Sequence, residues 1–227
     1  MEPRVKHSWK LTEEEAVQLQ QELARQVIAE DHLADVQYIA GVDVAYSKHS
    51  GKLIAAVVIL EADSLKVAES VVVEDHVQFP YIPGLFSFRE LPPVIQAFQQ
   101  IKTPPQLIVC DGQGLAHPRR FGLASHLGVL FNMPAIGCGK TRLLGEFEEP
   151  GLDRGAMSSL MDRGEVIGSA VRTQDGIKPI FVSVGHKISL ATACDWILKL
   201  APHYRLPETT RQADQLVNRV LGGADHV

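Results

Sequence analysis

VQYIAGVDVAYS (residues 36–47), KLIAAVVILEA (52–62) and LKVAESVVVEDHV (65–77) form the stretch on which the fold turns. Each run is rich in Val, Ile, Ala or Tyr, and branched or flat side chains suit a pleated surface. A Ser-Gly turn near residues 50 and 51 separates the first pair, and Ala62-Asp63-Ser64 the second. Gaps this short allow antiparallel neighbours only, because a parallel return needs a crossover of about a dozen residues or more. A three-stranded meander is expected.

Downstream the pattern changes. PPVIQAFQQI (92–101) reads as the start of a helix, with Pro tolerated in its first turn. PQLIVCDG (105–112) is a short, nearly continuous apolar strand, the mark of burial on both faces. RRFGLASHLGVLFN (119–132) reads as a helix and MPAIGCG (133–139) as another buried strand. These two strands, reached through helical crossovers, should run parallel to the first. EVIGSAVRT (165–173) and KPIFVSVGH (178–186) make a hairpin through Asp175-Gly176, with Pro179 confining its strand to an edge or a start. Helices are expected over 11–30, with Thr12 as N-cap and Glu15 three places on, and around 189–200 and 207–221. The expectation is one α/β domain over residues 1–227, with a mixed five-stranded central sheet flanked by helices.

Composition narrows the function classes. Hydrophobic residues make up 45% and charged residues 22%, as in an ordinary globular protein. No apolar run reaches membrane-spanning length. The N-terminal stretch is charged and lacks the apolar core of a secretory signal. The three cysteines, Cys110, Cys138 and Cys194, are widely spaced, which suggests neither a disulfide framework nor a thiolate zinc site. A reducing, cytoplasmic setting follows as an expectation. The net charge of −5 argues against non-specific coating of nucleic acid, but HPRR (117–120) and GKTR (139–142) concentrate cations locally.

The acids carry the chemistry. Asp43 sits mid-strand beside Gly41. A buried carboxylate is costly unless hydrogen-bonded, paired or metal-bound, so it either accepts backbone N–H groups at a bulge or serves a site. Asp111 ends a buried strand, where open α/β sheets bind ligands. The run DGQGLAHPRR (111–120) then offers two glycines for close backbone approach, and His117, Arg119 and Arg120 as phosphate donors. Glu90, just before the Pro92-Pro93 helix start, would serve a helix dipole if it acted alone. Three carboxylates at one site repel one another and call for a divalent cation, and hard oxygen donors suit Mg²⁺ or Mn²⁺. Such a site beside cations suits phosphodiester cleavage, the metal stabilising charge on the scissile phosphate. GCGKT (137–141) resembles the tail of a phosphate-binding loop, but position 134 is Pro, not the Gly that motif needs. Lys140 is left either as a solvated lysine or as a cation facing the scissile phosphate.

QFPYIPGLFSFRE (78–90) is too rigid for an ordinary loop and too broken for a strand. With GVDVAYS, PYIPGLFSFRE, DGQGLAHPRRFGLASHLGV, PAIGCGKTRLLG, GHKIS and YRLPETTRQAD in that order, the chain resembles the endonuclease V family from about residue 10 to about residue 220. The resemblance implies a ribonuclease H-like fold. It implies Mg²⁺-dependent nicking, with Mn²⁺ able to substitute, of DNA carrying deaminated bases, above all hypoxanthine. The cut would fall at the second phosphodiester bond on the 3′ side and leave 3′-hydroxyl and 5′-phosphate ends. It places metal binding on Asp43, Glu90 and Asp111 and a lysine role on Lys140. It also implies a strand-separating wedge at Pro80, Tyr81, Ile82 and Pro83. A lesion pocket would lie near Gly84, Gly112, Gly114 and His117, and phosphate contacts would fall on Arg119, Arg120 and Arg142.

Two prolines would stiffen such a wedge before binding. Backbone groups near the glycines would read O6 and N1–H of a rotated-out hypoxanthine, and adenine would leave donors facing donors. Some details depart from the family pattern. Gln113 stands where many members carry His, and Cys138-Gly139 replaces a common Val-Ala pair. Asp214 occupies a position that is His in some relatives, and is either a catalytic group near the metal or a solvated helix carboxylate. His186 reads as a helix-entry residue. An inosine-specific endoribonuclease and a catalytically silent binder of deaminated DNA are the alternatives. A monomer without membrane contact is expected.

Overall fold

The computed structural model describes residues 1–47 and 51–224. Strands β1 (Tyr38–Tyr46), β2 (Lys52–Glu61) and β3 (Val67–His76) pair antiparallel, with Val42 opposite Val57 and Ala56 opposite Val72. The expected turn lies partly outside the described residues at Ser50, while Gly51 has the positive φ of +66° that such a turn needs. Helix α2 (Phe86–Gln100) leads to β4 (Leu107–Cys110), and α3 (Leu123–Phe131) to β5 (Ala135–Gly139). Both strands are parallel to β1, with Gly41 opposite Val109 and Val109 opposite Ile136. This is the ribonuclease H-like arrangement expected.

The sheet does not stop at five strands. It continues through β6 (Met157–Asp162), β7 (Glu165–Val171) and β8 (Ile180–His186), giving the order β3-β2-β1-β4-β5-β8-β7-β6. The pair from the predicted hairpin is present, but residues 172–179 join it, not a tight turn at Asp175-Gly176. Pro179 falls just before β8, which is an inner strand. The strand not foreseen is β6. Its hairpin with β7 closes through Arg163 and Gly164, at φ +53° and +81°, with Asp162 opposite Glu165. An Arg-Gly pair is a weaker turn signal than Asn-Gly, and polar Ser158 and Ser159 dilute the strand pattern.

Alternate residues of each strand point to opposite faces. On one face Ala40, Val42, Val57, Ile59 and Ile108 meet α2 and α3 through Phe98 and Leu127. On the other, Ile39, Val109 and Ile136 meet α4 (Leu190–Leu200) through Cys194 and Ile197. Helix α5 (Glu208–Ala224) covers β2 through Ala213 and Val217. It comes so close to β1 that a Cβ on Gly41 would lie 2.1 Å from the Thr209 carbonyl oxygen.

Helix α2 corrects the sequence reading. It begins at Phe86, so Pro92 and Pro93 lie inside it and Glu90 is helical. Two prolines deprive the Phe88 and Arg89 carbonyls of their in-helix donors, a defect worth about 3 kcal/mol or more at a single interior position. Burial of Leu85, Phe88, Leu91, Val94 and Phe98 opposes that cost. Helix α1 (Glu13–Ala24) has the expected capping box between Thr12 and Glu15, but ends at Ala24, short of residue 30.

Candidate active site

The sheet topology gathers the acids. Asp43 is on β1, Asp111 follows the parallel neighbour β4, Lys140 follows β5, Glu90 is on α2 and Asp214 on α5. The Lys140 ammonium stands 2.6 Å from Asp111 Oδ2 and 3.5 Å from Asp214 Oδ1. Burial, then the Asp111 charge, pushes Asp43 up to about 7. Burial also raises Glu90 well above the carboxylate range, and the charges of Asp43 and Asp111 add to it. Burial pulls the Lys140 ammonium down, but the hydrogen bond and charge of Asp111, with Asp214 and Asp43, outweigh it and the net shift is upward. Four acids distant in sequence therefore share one electrostatic site.

Glu90 is 5% exposed and lies in the helix interior, so a role at the helix N-terminus does not account for it. Its Oε1 accepts a hydrogen bond from the Tyr46 hydroxyl at 3.0 Å. The Arg89 guanidinium lies 4.9 Å from the centre of the Tyr46 ring and donates to the Phe79 carbonyl. Tyr46 went unremarked in the sequence because a strand tyrosine has an ordinary packing explanation.

Beside the acids is a cleft of about 440 Å³. Tyr81, Ile82, Pro83 and Gly84 line it, as do Gly112, Gln113 and His117, and Asp111 and Lys140 share the lining. Tyr81 is 70% exposed and touches Phe86 edge-on at 6.4 Å, so it does not pack into the core. Ile82 is partly buried against Phe79, Leu85 and Phe88, and seats the loop from which Tyr81 projects. Pro80 and Pro83 are exposed. Leu143, 56% exposed, also lines the cleft, and no sequence signal marked it.

The backbone groups expected to read a base are largely engaged. Gly84 O accepts from Gln20 Nε2 at 3.0 Å and Arg119 Nη2 at 2.7 Å. Gly112 N–H donates to Cys138 O at 3.3 Å and Gly114 N–H to Ser183 Oγ at 2.9 Å. Gly114 is not in the lining, and a Cβ there would meet Val184 O at 2.0 Å. Its requirement for glycine is a close approach to β8. His117 is 5% exposed, and burial, then Arg119, pushes it down to about 4, so the ring is neutral.

The arginines are also occupied. Arg119 grips Gly84 and Gln20. Arg120 pairs with Asp162 at 2.8 Å and Glu165 at 3.0 Å. Arg142 donates to the Gly145 carbonyl at 2.6 Å, and of the three it alone lines the cleft. Gln20, 1% exposed, looks in the sequence like any polar helix residue, yet it also donates to Phe121 O at 2.8 Å. His186 is buried, its ring accepting from Ile28 N–H, away from the acids.

The donor chemistry fits a hard divalent cation. The carboxylates bring only oxygen donors, and those of Asp43 and Glu90 are held at raised proton affinity, which a cation relieves. Among the described residues no three acidic, His or Cys groups already stand at ligating spacing, so the carboxylates would have to turn to close a cage.

The family model for Endonuclease V matches residues 21–215. The chain belongs to the endonuclease V family. Endonuclease V of Trichormus variabilis is 51% identical over 213 residues, spanning 93% of this chain and 96% of that one. The crystal structure of the Streptomyces avermitilis endonuclease V superposes with a TM-score of 0.92 at 46% identity, over 99% of this chain and 100% of the other. Endonuclease V of Ciona intestinalis, in complex with a 23-mer DNA containing an inosine followed by a ribo-adenosine, gives 0.85 at 31% identity, over 94% and 100%. Endonuclease V proteins are nucleases, hydrolases acting on DNA, and the site above is where this member of the family gathers its acids.

Proposed function

We propose that this protein repairs DNA by nicking the second phosphodiester bond 3′ to deoxyinosine and other deaminated bases, through Mg²⁺-dependent hydrolysis. The observation that carries the reading is the cleft, whose lining joins the Tyr81 loop and the Gly112–His117 loop to Asp111 and Lys140. A cavity of about 440 Å³ suits a base rotated out of its stack, and the charged end suits the backbone beside it.

Asp43, Glu90 and Asp111 would hold Mg²⁺, with Mn²⁺ able to substitute and Asp214 adjoining. When bound, the metal supplies Lewis-acid stabilisation of charge gathering on the scissile phosphate. Lys140 faces that phosphate and neutralises part of its charge. Water adds to phosphorus as the bond to the 3′ oxygen breaks, leaving a 3′-hydroxyl upstream and a 5′-phosphate downstream. Tyr81, on a proline-stiffened loop, stands in for the stacking lost when the nucleotide leaves the helix. An inosine mispair yields its base more readily than a normal pair, and the cleft then selects by fit. Arg142 contacts the backbone, whereas Arg119 braces the pocket. The working unit is a monomer in the cytoplasm. The three free, buried cysteines and the absence, among the described residues, of a helix able to cross a membrane support that setting.

One observation favours a second reading, an inosine-specific endoribonuclease: the DNA bound by the Ciona relative carries a ribo-adenosine after the inosine. Nicking of single-inosine deoxy and ribo oligonucleotides, with and without Mg²⁺, tests both. Cutting of the deoxy substrate only with metal is expected. Cutting of RNA alone would transfer the assignment to the second reading, and binding without cutting would leave a silent binder.

Two further results are expected. Tyr81→Ala weakens binding to inosine duplex about tenfold, on the scale of base–aromatic stacking, and weakens single-strand binding much less. Equal losses on the two substrates would contradict the wedge. The second concerns pH. With Asp43 at about 7 when folded and 3.8 as reference, the folded chain holds the extra proton, so this group's stabilisation is complete below its unfolded value and lost as pH rises through about 7. Mg²⁺ competes with that proton. The rise in Tm on adding Mg²⁺ should therefore be larger at about pH 8 than at about pH 5.5, and equal rises would refute metal binding at this carboxylate.

A further inference from the structure

The site contains a fastening that the acids do not explain. Arg205 lies in the connection between α4 and α5, three residues before α5 begins. Its Nη2 donates to the Lys140 carbonyl at 2.7 Å and to the Pro179 carbonyl at 2.9 Å, and its Nε to the Lys178 carbonyl at 2.9 Å. Its own carbonyl accepts from the buried Thr173 hydroxyl at 2.7 Å. One planar guanidinium thus ties the exit of β5 to the entrance of β8, while its backbone is pinned to the end of β7.

Arg205 also links the two segments that carry the halves of an ion pair. The exit of β5 carries Lys140. The segment bearing Arg205 runs through Pro207 into α5, which carries Asp214, 3.5 Å from the Lys140 ammonium. Loops leaving a sheet edge drift unless something holds them. Three carbonyls at fixed angles suit a forked cation and not a point charge.

We propose that Arg205 is a positioning residue for the reaction: by holding the Lys140 backbone against the approach to α5, it sets the ammonium between Asp111 and Asp214. The inference rests on the reading of Lys140 as the cation facing the scissile phosphate. Arg205 itself touches no acid of the site. It acts through the peptide of Lys140, so its loss should slow the chemical step with little effect on lesion binding.

The experiment is a double-mutant cycle on the full chain with Arg205→Lys and Lys140→Ala. Single-turnover cleavage of inosine DNA at saturating enzyme, Kd for the same DNA without metal, and Tm are measured for each variant. Arg205→Lys should slow cleavage about 10–100-fold, the scale of a small misplacement, with Kd moving less than about threefold. In the Lys140→Ala background the same change should add less than about threefold, because its target is gone. An undiminished effect in that background, or an unchanged rate in the Arg205→Lys single variant, overturns the inference and leaves the reading of Lys140 intact. A Lys140→Ala enzyme cutting at the original rate overturns both. If Arg205→Lys does not fold, judged by Tm, Arg205→Gln takes its place in the cycle with the same expected and contrary outcomes.

Discussion

Asp111→Ala should lower single-turnover cleavage of inosine DNA by about 10³-fold or more, the scale of removing a group that holds developing charge, while lesion binding stays within a few-fold. The argument starts from strand order. Asp111 leaves β4, which is hydrogen-bonded to the strand bearing Asp43, so it lies beside both Asp43 and the cleft. It is the shared member of the acid group and the cleft lining, and the 2.6 Å partner of Lys140. Folding should not suffer. Asp43 is raised by burial and then by Asp111's charge, so deleting Asp111 relieves repulsion, and Lys140 retains Asp214. A Tm close to the parent's, with intact binding and lost cleavage, is the expected combination. Cleavage within about tenfold of the parent would remove Asp111 from the chemistry.

Gly41→Ala should cost about 2–4 kcal/mol, lowering Tm by roughly 5–15 °C for a chain of this size. The added methyl carbon would lie 2.1 Å from Thr209 O, 2.5 Å from its carbonyl carbon and 2.9 Å from its Cα. Those are backbone atoms of the first turn of α5, with no rotamer to yield. Helix α5 or β1 must shift, and those two elements carry Asp214 and Asp43. Cleavage should fall alongside stability, and added Mg²⁺ should recover part of the lost Tm by binding the folded form. A variant melting within about 2 °C of the parent would show that the two backbones do not approach so closely.

The meander and the two parallel strands were legible because burial on one or both faces writes itself into alternation or continuity, as in LIVC over 107–110. β6 was not, since an edge strand half open to water needs no such pattern and the central pair of its turn, Arg163-Gly164, lacks Asn or Asp. The start of α2 was misplaced for another reason. Prolines are read as helix entrances, but Leu85, Phe88 and Leu91 needed helical spacing six residues earlier, and tertiary packing overrode the local signal. Asp43 and Asp111 stood out as carboxylates on an apolar strand or at its end, whereas Glu90 by itself suited a helix dipole and Asp214 gained a role only through the family resemblance. Tyr46, Gln20 and Arg205 did not stand out, because each works through a single long-range hydrogen-bonding partner or set of partners that no local spacing encodes.

Gln20, which lines the cleft with Gly84, holds the carbonyls of Gly84 and Phe121 on one amide nitrogen, and Arg119 grips its oxygen. A cleft whose wall is fastened to the chain behind it in this way has a set gauge. It cannot spread for a bulkier guest without breaking buried hydrogen bonds. Damaged bases of differing breadth should therefore be ranked by how they seat in a rigid mould, and a shorter or longer side chain at residue 20, itself part of the cleft lining, should rewrite that ranking.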